Sequence, residues 1–84
     1  MNLYLLWQEE NNGYDTYDSC VVCAKDMDEA RLIHPNSNYK GYSQEDWESD
    51  LEWATSPENV YCRLIGKAES YIPKGVVLAS FNAG

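Results

Sequence analysis

Basic residues are scarce in this sequence. Six Lys and Arg stand against fourteen Asp and Glu, which gives a formal charge of −8 over 84 residues. Direct binding of DNA or RNA is not expected, because phosphates are neutralised by clusters of Lys and Arg. The same charge favours a partner protein with a basic surface, including a nucleic-acid-binding protein whose channel an acidic surface would occupy. Acidic surfaces also serve solubility alone, and this alternative stays open.

The sequence also lacks a basic N-terminal region and any apolar run long enough for a signal peptide or a membrane span. We therefore expect a cytoplasmic protein. Its three cysteines, an odd number, fit reduced thiols in that compartment. No repeat, low-complexity tract or linker divides the chain, so residues 1–84 are expected to form a single α+β domain.

Four apolar segments predict four β-strands, at about residues 3–7, 17–25, 60–65 and 76–81. The first and the last are continuously apolar, which is typical of strands covered on both faces. The first is expected to be central in the sheet, and the last is expected in the middle of the sheet or under the helices. The third alternates instead. In that strand Val60, Cys62 and Leu64 are predicted to point inward, and Tyr61 and Arg63 outward.

Turn-forming and helix-capping residues predict the connections between the strands and helices. Asn12-Gly13 favours a hairpin turn between the first two strands. Asp26, with Glu29 three residues later, is typical of the start of a helix over residues 27–34, which Pro35 would end. Gly66 permits a bulge or bend in the third strand.

The segment 43–58 holds six of the fourteen acidic residues and no Lys or Arg. Its start predicts a second helix, capped by Ser43, in which Trp47, Leu51 and Ala54 form an inward stripe at i, i+4 and i+7. Acidic and aromatic side chains outside that stripe are the predicted partner-binding residues. They are Tyr42, Glu45, Asp46, Glu48, Asp50, Glu52 and Trp53.

These elements predict an α+β fold of ββααββ order, with a mostly antiparallel four-stranded sheet and two helices on one face. The helices are expected to cover Leu5, Val21, Leu64 and Val77 or their neighbours.

The sequence has no decisive catalytic or cofactor signature. Cys20 and Cys23 have the C-x-x-C spacing, but residues three apart in a strand point to opposite faces, so a disulfide or a shared metal ion is not expected. His34, the only histidine, is assigned a structural role at a helix end. No metal, cofactor or catalytic residue is predicted, although a small thiol- or metal-dependent enzyme remains an alternative.

Residues 14–24, 29–35 and 75–84 resemble a family of small phage and prophage proteins of unassigned function. The resemblance implies a phage or prophage origin and supplies no catalytic residues. By analogy of size, charge and origin alone, small acidic phage proteins include inhibitors of host machinery, such as anti-CRISPR proteins.

The leading hypothesis is therefore a non-enzymatic phage protein that binds a host protein with a basic surface, for example a CRISPR effector complex, and blocks its nucleic-acid-binding site. The predicted protein is a monomer or homodimer. The alternative is a phage structural or assembly module that self-associates through an exposed sheet edge.

Overall fold

The computed structural model describes residues 1–36, 47–49 and 51–82. Within these ranges the chain forms one antiparallel sheet in the order β3-β1-β2-β4. The strands are β1 (Asn2–Trp7), β2 (Thr16–Ala24), β3 (Tyr61–Lys67) and β4 (Gly75–Asn82). The predicted four-stranded antiparallel sheet is confirmed, and every strand begins and ends within two residues of its predicted bounds.

One face of the sheet, the covered face, carries the hydrophobic core. Tyr4 and Leu6 of β1 lie directly opposite Val22 and Cys20 of β2, and all four side chains are buried. The part of the chain between β2 and β3 packs over them. It contributes Ala30, Ile33, Trp47, Trp53, Ala54 and Val60 to the same cluster.

The helical layer is smaller than predicted. The described residues contain one α-helix, α1 (Met27–Arg31), and one 3-10 turn (Pro57–Asn59) rather than two helices. Asp26 caps α1 as predicted, because its carboxylate accepts from the backbone N–H of Glu29 at 2.8 Å. Residues 47 and 48 are helical, but residues 51–53 are bent, so the predicted helix does not continue to residue 54. Its predicted first turn, residues 43–46, lies outside the described residues.

The predicted side-chain directions are partly wrong. Leu5 and Val21 are paired on the face opposite the core, whereas their neighbours Leu6 and Val22 lie under it. Val60 is buried as predicted. Leu64 lies opposite the buried Tyr4, on the covered face as predicted, but it is 52% exposed because the packing does not reach it. The reason for the error at Leu5 is that β1 is apolar at every position, so its sequence does not indicate which face is covered.

The prediction that β4 lies in the middle of the sheet is also wrong, because β3 and β4 are the two edge strands. Each edge strand has one unpaired extra residue. Ile65 is the extra residue between the pairs Tyr4–Leu64 and Leu3–Gly66, which confirms the predicted irregularity near Gly66. In β4 the extra residue is Val77, between the pairs Val21–Leu78 and Val22–Val76. Bulges of this kind interrupt the regular row of hydrogen-bonding groups along an edge.

The hairpin between β1 and β2 is confirmed, but its turn differs from the prediction. The loop runs over residues 8–15, and the left-handed backbone conformation is at Asp15 (φ 59°) rather than at Gly13. Gln8, which is buried, organises this loop. Its amide donates to the carbonyls of Asn11 and Tyr17, and its Oε1 accepts from two backbone N–H groups of the loop.

Candidate protein-binding surface

The face of the sheet opposite the core, which we call the outer face, consists of ladder residues that alternate with those of the covered face. Leu5, for example, pairs with Val21 on one side and with Arg63 on the other, and Val21 pairs in turn with Leu78. The paired residues of the outer face are Leu3, Leu5, Trp7, Ser19, Val21, Cys23, Tyr61, Arg63, Leu78 and Ser80.

One end of the outer face is closed by the chain itself. The connection from β3 to β4 must pass from one edge of the sheet to the other, and it does so at the end where β1 begins. Ala68 donates to the carbonyl of Met1, and the Cys23 thiol lies 3.7 Å from the carbonyl oxygen of Ile72. Cys23 is fully buried by this connection, although it is not part of the core cluster.

The rest of the outer face is open, and apolar side chains lie there beside Ser19, Arg63 and Ser80. At its edges Leu78 is 70% exposed and Tyr61 is 48% exposed, and Leu5 and Val21 between them are partly exposed. Trp7 stacks on Tyr61 with ring centroids 5.4 Å apart and the ring planes 15° apart. An aromatic pair beside aliphatic side chains is the composition that protein interfaces favour in their centres.

The outer face differs in charge from the whole molecule. Its paired positions carry one charge, Arg63, and no carboxylate, although the chain has fourteen Asp and Glu. The nearest carboxylate to Tyr61 is held at the rim, where the hydrogen bond of Tyr61 to Glu9 raises the pKa of the phenol. Among the described residues, the carboxylates other than that of Asp18 lie in loops or between β2 and β3. Asp18 is the unpaired, exposed residue of β2 beside Ser19, so the paired positions of the outer face are nearly neutral but have one carboxylate next to them.

The predicted acidic site is only partly within the described structure. Tyr42, Glu45, Asp46 and Asp50 lie outside the described residues. Glu48 is exposed, as the prediction requires. Glu52 is half-buried and accepts a hydrogen bond from the amide of Asn36 at 2.8 Å, while its backbone carbonyl accepts from Tyr17 N–H. It therefore has a structural contact that a purely solvated carboxylate would not have.

The expected placements of Trp53 and Leu51 are wrong. Trp53 was expected as an exposed anchor, but it is fully buried in the core, whereas Leu51 is 78% exposed. The Trp53 ring lies 6.4 Å from the His34 ring, and its carbonyl accepts from the side chain of Asn11 at 2.6 Å. Residues 51–53 are bent, so the i, i+4, i+7 spacing that placed Leu51 inward does not apply there.

A groove of about 520 Å³ lies where β3 begins. The half-buried Arg31 lines it, together with Glu9, Glu10, Glu58, Asn59, Val60 and Tyr61. All three glutamates are engaged, since Glu10 accepts from Thr55 and Asn59, Glu9 bonds Tyr61, and Glu58 bonds Ser56. The groove therefore offers no converging set of unengaged carboxylates.

The thiols and the histidine are placed as structural groups. Cys20 lies on the covered face and Cys23 on the outer face, which confirms that the two point in opposite directions. Burial raises the pKa of the Cys20 thiol to about 12, the reverse of what a nucleophilic cysteine needs. His34 is fully buried against the rings of Trp47 and Trp53, and its Nδ1 accepts from Asn36 N–H at 2.9 Å.

The described residues contain no group of three or more His, Cys, Asp or Glu side chains arranged to hold a metal ion. None of the helices in that part of the chain has the length and hydrophobicity needed to cross a membrane.

Comparison of the chain with protein-family models, with curated proteins and with solved structures returns no match. The case for a functional surface therefore depends on the residues of this chain alone.

Sequence reasoning missed most of the outer face. Leu5, Trp7, Val21 and Leu78 were treated as core or left unassigned, and only Tyr61 and Arg63 were expected to point outward. A signal was present, because the continuous apolar runs in β1 and β4 are typical of strands covered on both faces. The described residues cover one face of the sheet and only one end of the other, so the apolar pattern of β1 and β4 exceeds the area that these residues cover.

Proposed function

We propose that this chain is a protein-binding module rather than an enzyme, and that the outer face is the surface that docks another polypeptide chain. The observation that carries the proposal is the open face of the sheet, with Leu78 70% exposed at the β4 edge and a stacked Trp–Tyr pair at the β3 edge. Contiguous exposed apolar patches larger than a few hundred Å² are uncommon on monomeric soluble proteins and are a feature of interaction sites.

Two further features support docking at the face rather than at an edge of the sheet. Both edge strands contain a bulge, at Ile65 and at Val77, so neither offers an unbroken template for strand addition. The outer face, in contrast, presents side chains from all four strands in register. An assembly module that associates through this face fits the geometry better than one that associates through an edge.

A second candidate function is inhibition of a host protein by the acidic side of the molecule. The charge of −8 favours a basic partner, and Glu48 is exposed on the side that carries the core segment. In this proposal the protein is of phage origin, acts in the host cytoplasm and blocks a nucleic-acid-binding surface, for which a CRISPR effector complex is the candidate target. Glu45, Asp46 and Asp50, which lie outside the described residues, are further predicted members of this partner-binding site.

The test compares four tagged proteins as bait in lysate: the parent chain and the Leu78→Glu, Leu51→Glu and Glu48→Lys variants. Leu51 is the matched control for Leu78, because it is a leucine of similar exposure on the core side. Loss of a captured protein with Leu78→Glu alone, reproduced with the purified partner, supports docking at the outer face. Loss with Glu48→Lys alone supports the acidic inhibitor instead.

Capture that is unchanged by all three substitutions would contradict both proposals. Glu52 is unsuitable for charge reversal, since its contact with Asn36 means that a Lys there would disturb the packing of the chain as well as the surface charge.

A further inference from the structure

The outer face has a size and a charge that fit one occupant in particular. We propose that two copies of this chain pack their outer faces against each other and form a homodimer. This inference rests on the proposed function, because it names the polypeptide that docks at the surface assigned above.

The area of the face is sufficient for a specific contact. Four strands about 4.8 Å apart, with about five open residues that rise about 3.4 Å each, give a face of roughly 19 by 17 Å. Side chains project from the sheet, so the solvent-accessible area of such a face exceeds its flat area and is on the order of 500 Å². Two faces in contact therefore bury on the order of 1,000 Å² in total. This value is at the lower limit of specific interfaces, and it predicts a dimer that dissociates on dilution.

The distribution of charge favours a second copy over an acidic or a basic partner. Two chains of charge −8 repel each other through most of their surfaces, but their outer faces have no carboxylate at the paired positions. Face-to-face packing brings the nearly neutral paired positions of the two copies together, with Asp18 beside Ser19 and Glu9 bonded to Tyr61 as the carboxylates next to the contact. A strongly basic partner would instead be drawn to the acidic side of the molecule.

The position of Arg63 is compatible with this arrangement. Arg63 lies on the edge strand β3, whereas Leu78 lies on β4 at the opposite edge. A two-fold axis parallel to the strands places β3 of one copy over β4 of the other. Each Arg63 then faces the Leu78 edge of the second copy rather than the other Arg63, and its aliphatic stem can pack there with the guanidinium at the rim.

Sedimentation equilibrium of the purified chain between about 1 and 500 µM tests the proposal, because small interfaces are typical of weak or transient complexes that dissociate on dilution. The expected result is a mass that rises with concentration from 9.6 kDa towards twice that value. Leu78→Glu is expected to raise the dissociation constant at least about 30-fold, because each dimer loses two apolar contacts and gains two buried charges. Leu51→Glu, the matched control, should change it less than about threefold.

Leu78→Ser serves as a second variant that adds no charge, and circular dichroism verifies that each variant is folded. A parent chain that stays at 9.6 kDa throughout the range would overturn the homodimer. So would a folded Leu78→Glu variant that dimerises like the parent. Protection of Trp7 and Tyr61 from oxidative labelling in a strict monomer would show that the chain covers the face itself.

The experiments distinguish failure of the homodimer from failure of the outer face as a docking surface. A monomeric parent chain that still captures a protein in a Leu78-dependent way keeps the outer face as a docking surface and removes only the second copy as its occupant. A monomeric parent chain that captures no protein in a Leu78-dependent way contradicts both the homodimer and the docking surface.

Discussion

Gln8 shows how one polar side chain determines the shape of the loop between β1 and β2. The residue is 3% exposed, and its amide makes four hydrogen bonds to backbone groups of the loop and of Tyr17, between 2.7 and 3.0 Å long. The turn is therefore organised by a buried side chain rather than by the Asn12-Gly13 dipeptide. A local turn signal could not have indicated this, because the partners of Gln8 depend on the packed loop.

Replacement of Gln8 by Ala is expected to lower the free energy of unfolding by about 2–4 kcal/mol, because several buried backbone groups lose their partners. Urea denaturation measures the change. Asn12→Ala is the control in the same loop, since Asn12 is exposed and donates a single hydrogen bond, to Glu9. An equal loss in the two variants would mean that the loop does not depend on Gln8.

Glu10 links this loop to residues 55–59, and its contribution to stability depends on pH. A hydrogen bond from the backbone N–H of Thr55 is the main reason that the pKa of Glu10 is lowered below its usual 4.5, and side-chain bonds from Thr55 and Asn59 add to it. The folded state therefore favours the carboxylate. Its stabilisation is fully present above pH 4.5 and is lost as the pH falls through the lowered pKa.

Denaturation of the parent chain and of Glu10→Gln at several pH values tests this linkage. The parent should be the more stable at pH 7, and the difference should shrink as the pH is lowered below about 4.5. A difference that is the same at pH 7 and pH 3 would show that the Glu10 charge contributes nothing to folding.

The thiols differ in their exposure, so they should differ in reactivity. Burial raises the pKa of Cys20 to about 12, and it also raises the pKa of the half-buried Cys62, where Arg31 partly offsets the effect. Under native conditions at pH 8, we expect iodoacetamide to modify Cys62 at least about 100-fold faster than Cys20. Mass spectrometry of the digested protein locates the label. Rapid modification of Cys20 would instead support a reactive thiol.

At the scale of the elements, the positions of the strands could be predicted from the sequence, because their apolar and β-branched runs are separated by clear turn residues. The order of the strands in the sheet, and which face of each strand is covered, could not be predicted. In β1, Leu5 and Leu6 are equally apolar, and only the packing of Trp47 and Trp53 over one side distinguishes them. The same packing places Trp53 inside and Leu51 outside, against the helical spacing of the sequence.

The outer face could not be predicted as a binding surface for the same reason, namely that the sequence does not show which face of each strand is covered. A continuous apolar run in β1 or β4 indicates two covered faces, and it does not reveal whether the second cover comes from the same chain or from another. The acidic segment 43–58 is easier to recognise in the sequence, because charged residues are identified by their type alone. Which of its side chains reach the surface depends on the backbone conformation, and the helical spacing of the residues did not predict that conformation.

The entry into β4 depends on a backbone conformation that glycine alone adopts readily. Gly75 has φ +132°, and no atom lies within 4 Å of a Cβ placed there, so Gly75→Ala should cost about 1–2 kcal/mol through backbone strain alone. Gly66→Ala is the matched control, because Gly66 has equal space and no positive φ. The melting temperatures of Gly75→Ala and Gly66→Ala, measured by thermal unfolding, test this expectation. Equal melting temperatures for the two variants would exclude strain at Gly75.

At the scale of the whole molecule, the separation of an acidic side from a neutral apolar face gives two opposite responses to salt. A homodimer held by the outer face should become tighter as salt screens the repulsion between two chains of charge −8. We expect its dissociation constant to fall several-fold between about 20 and 300 mM NaCl. Sedimentation at both concentrations measures this. A dimer that weakens with salt would depend on ion pairs instead.

The order β3-β1-β2-β4 also has a consequence for the way the chain is made. The N-terminal hairpin supplies both central strands, and both edge strands come from the C-terminal third of the sequence. During synthesis the hairpin therefore leaves the ribosome with two unpaired edges, and these edges stay unpaired until residues 61–82 follow. Nascent chains that stall before β3 should be the species most prone to aggregate and the ones that most need a chaperone.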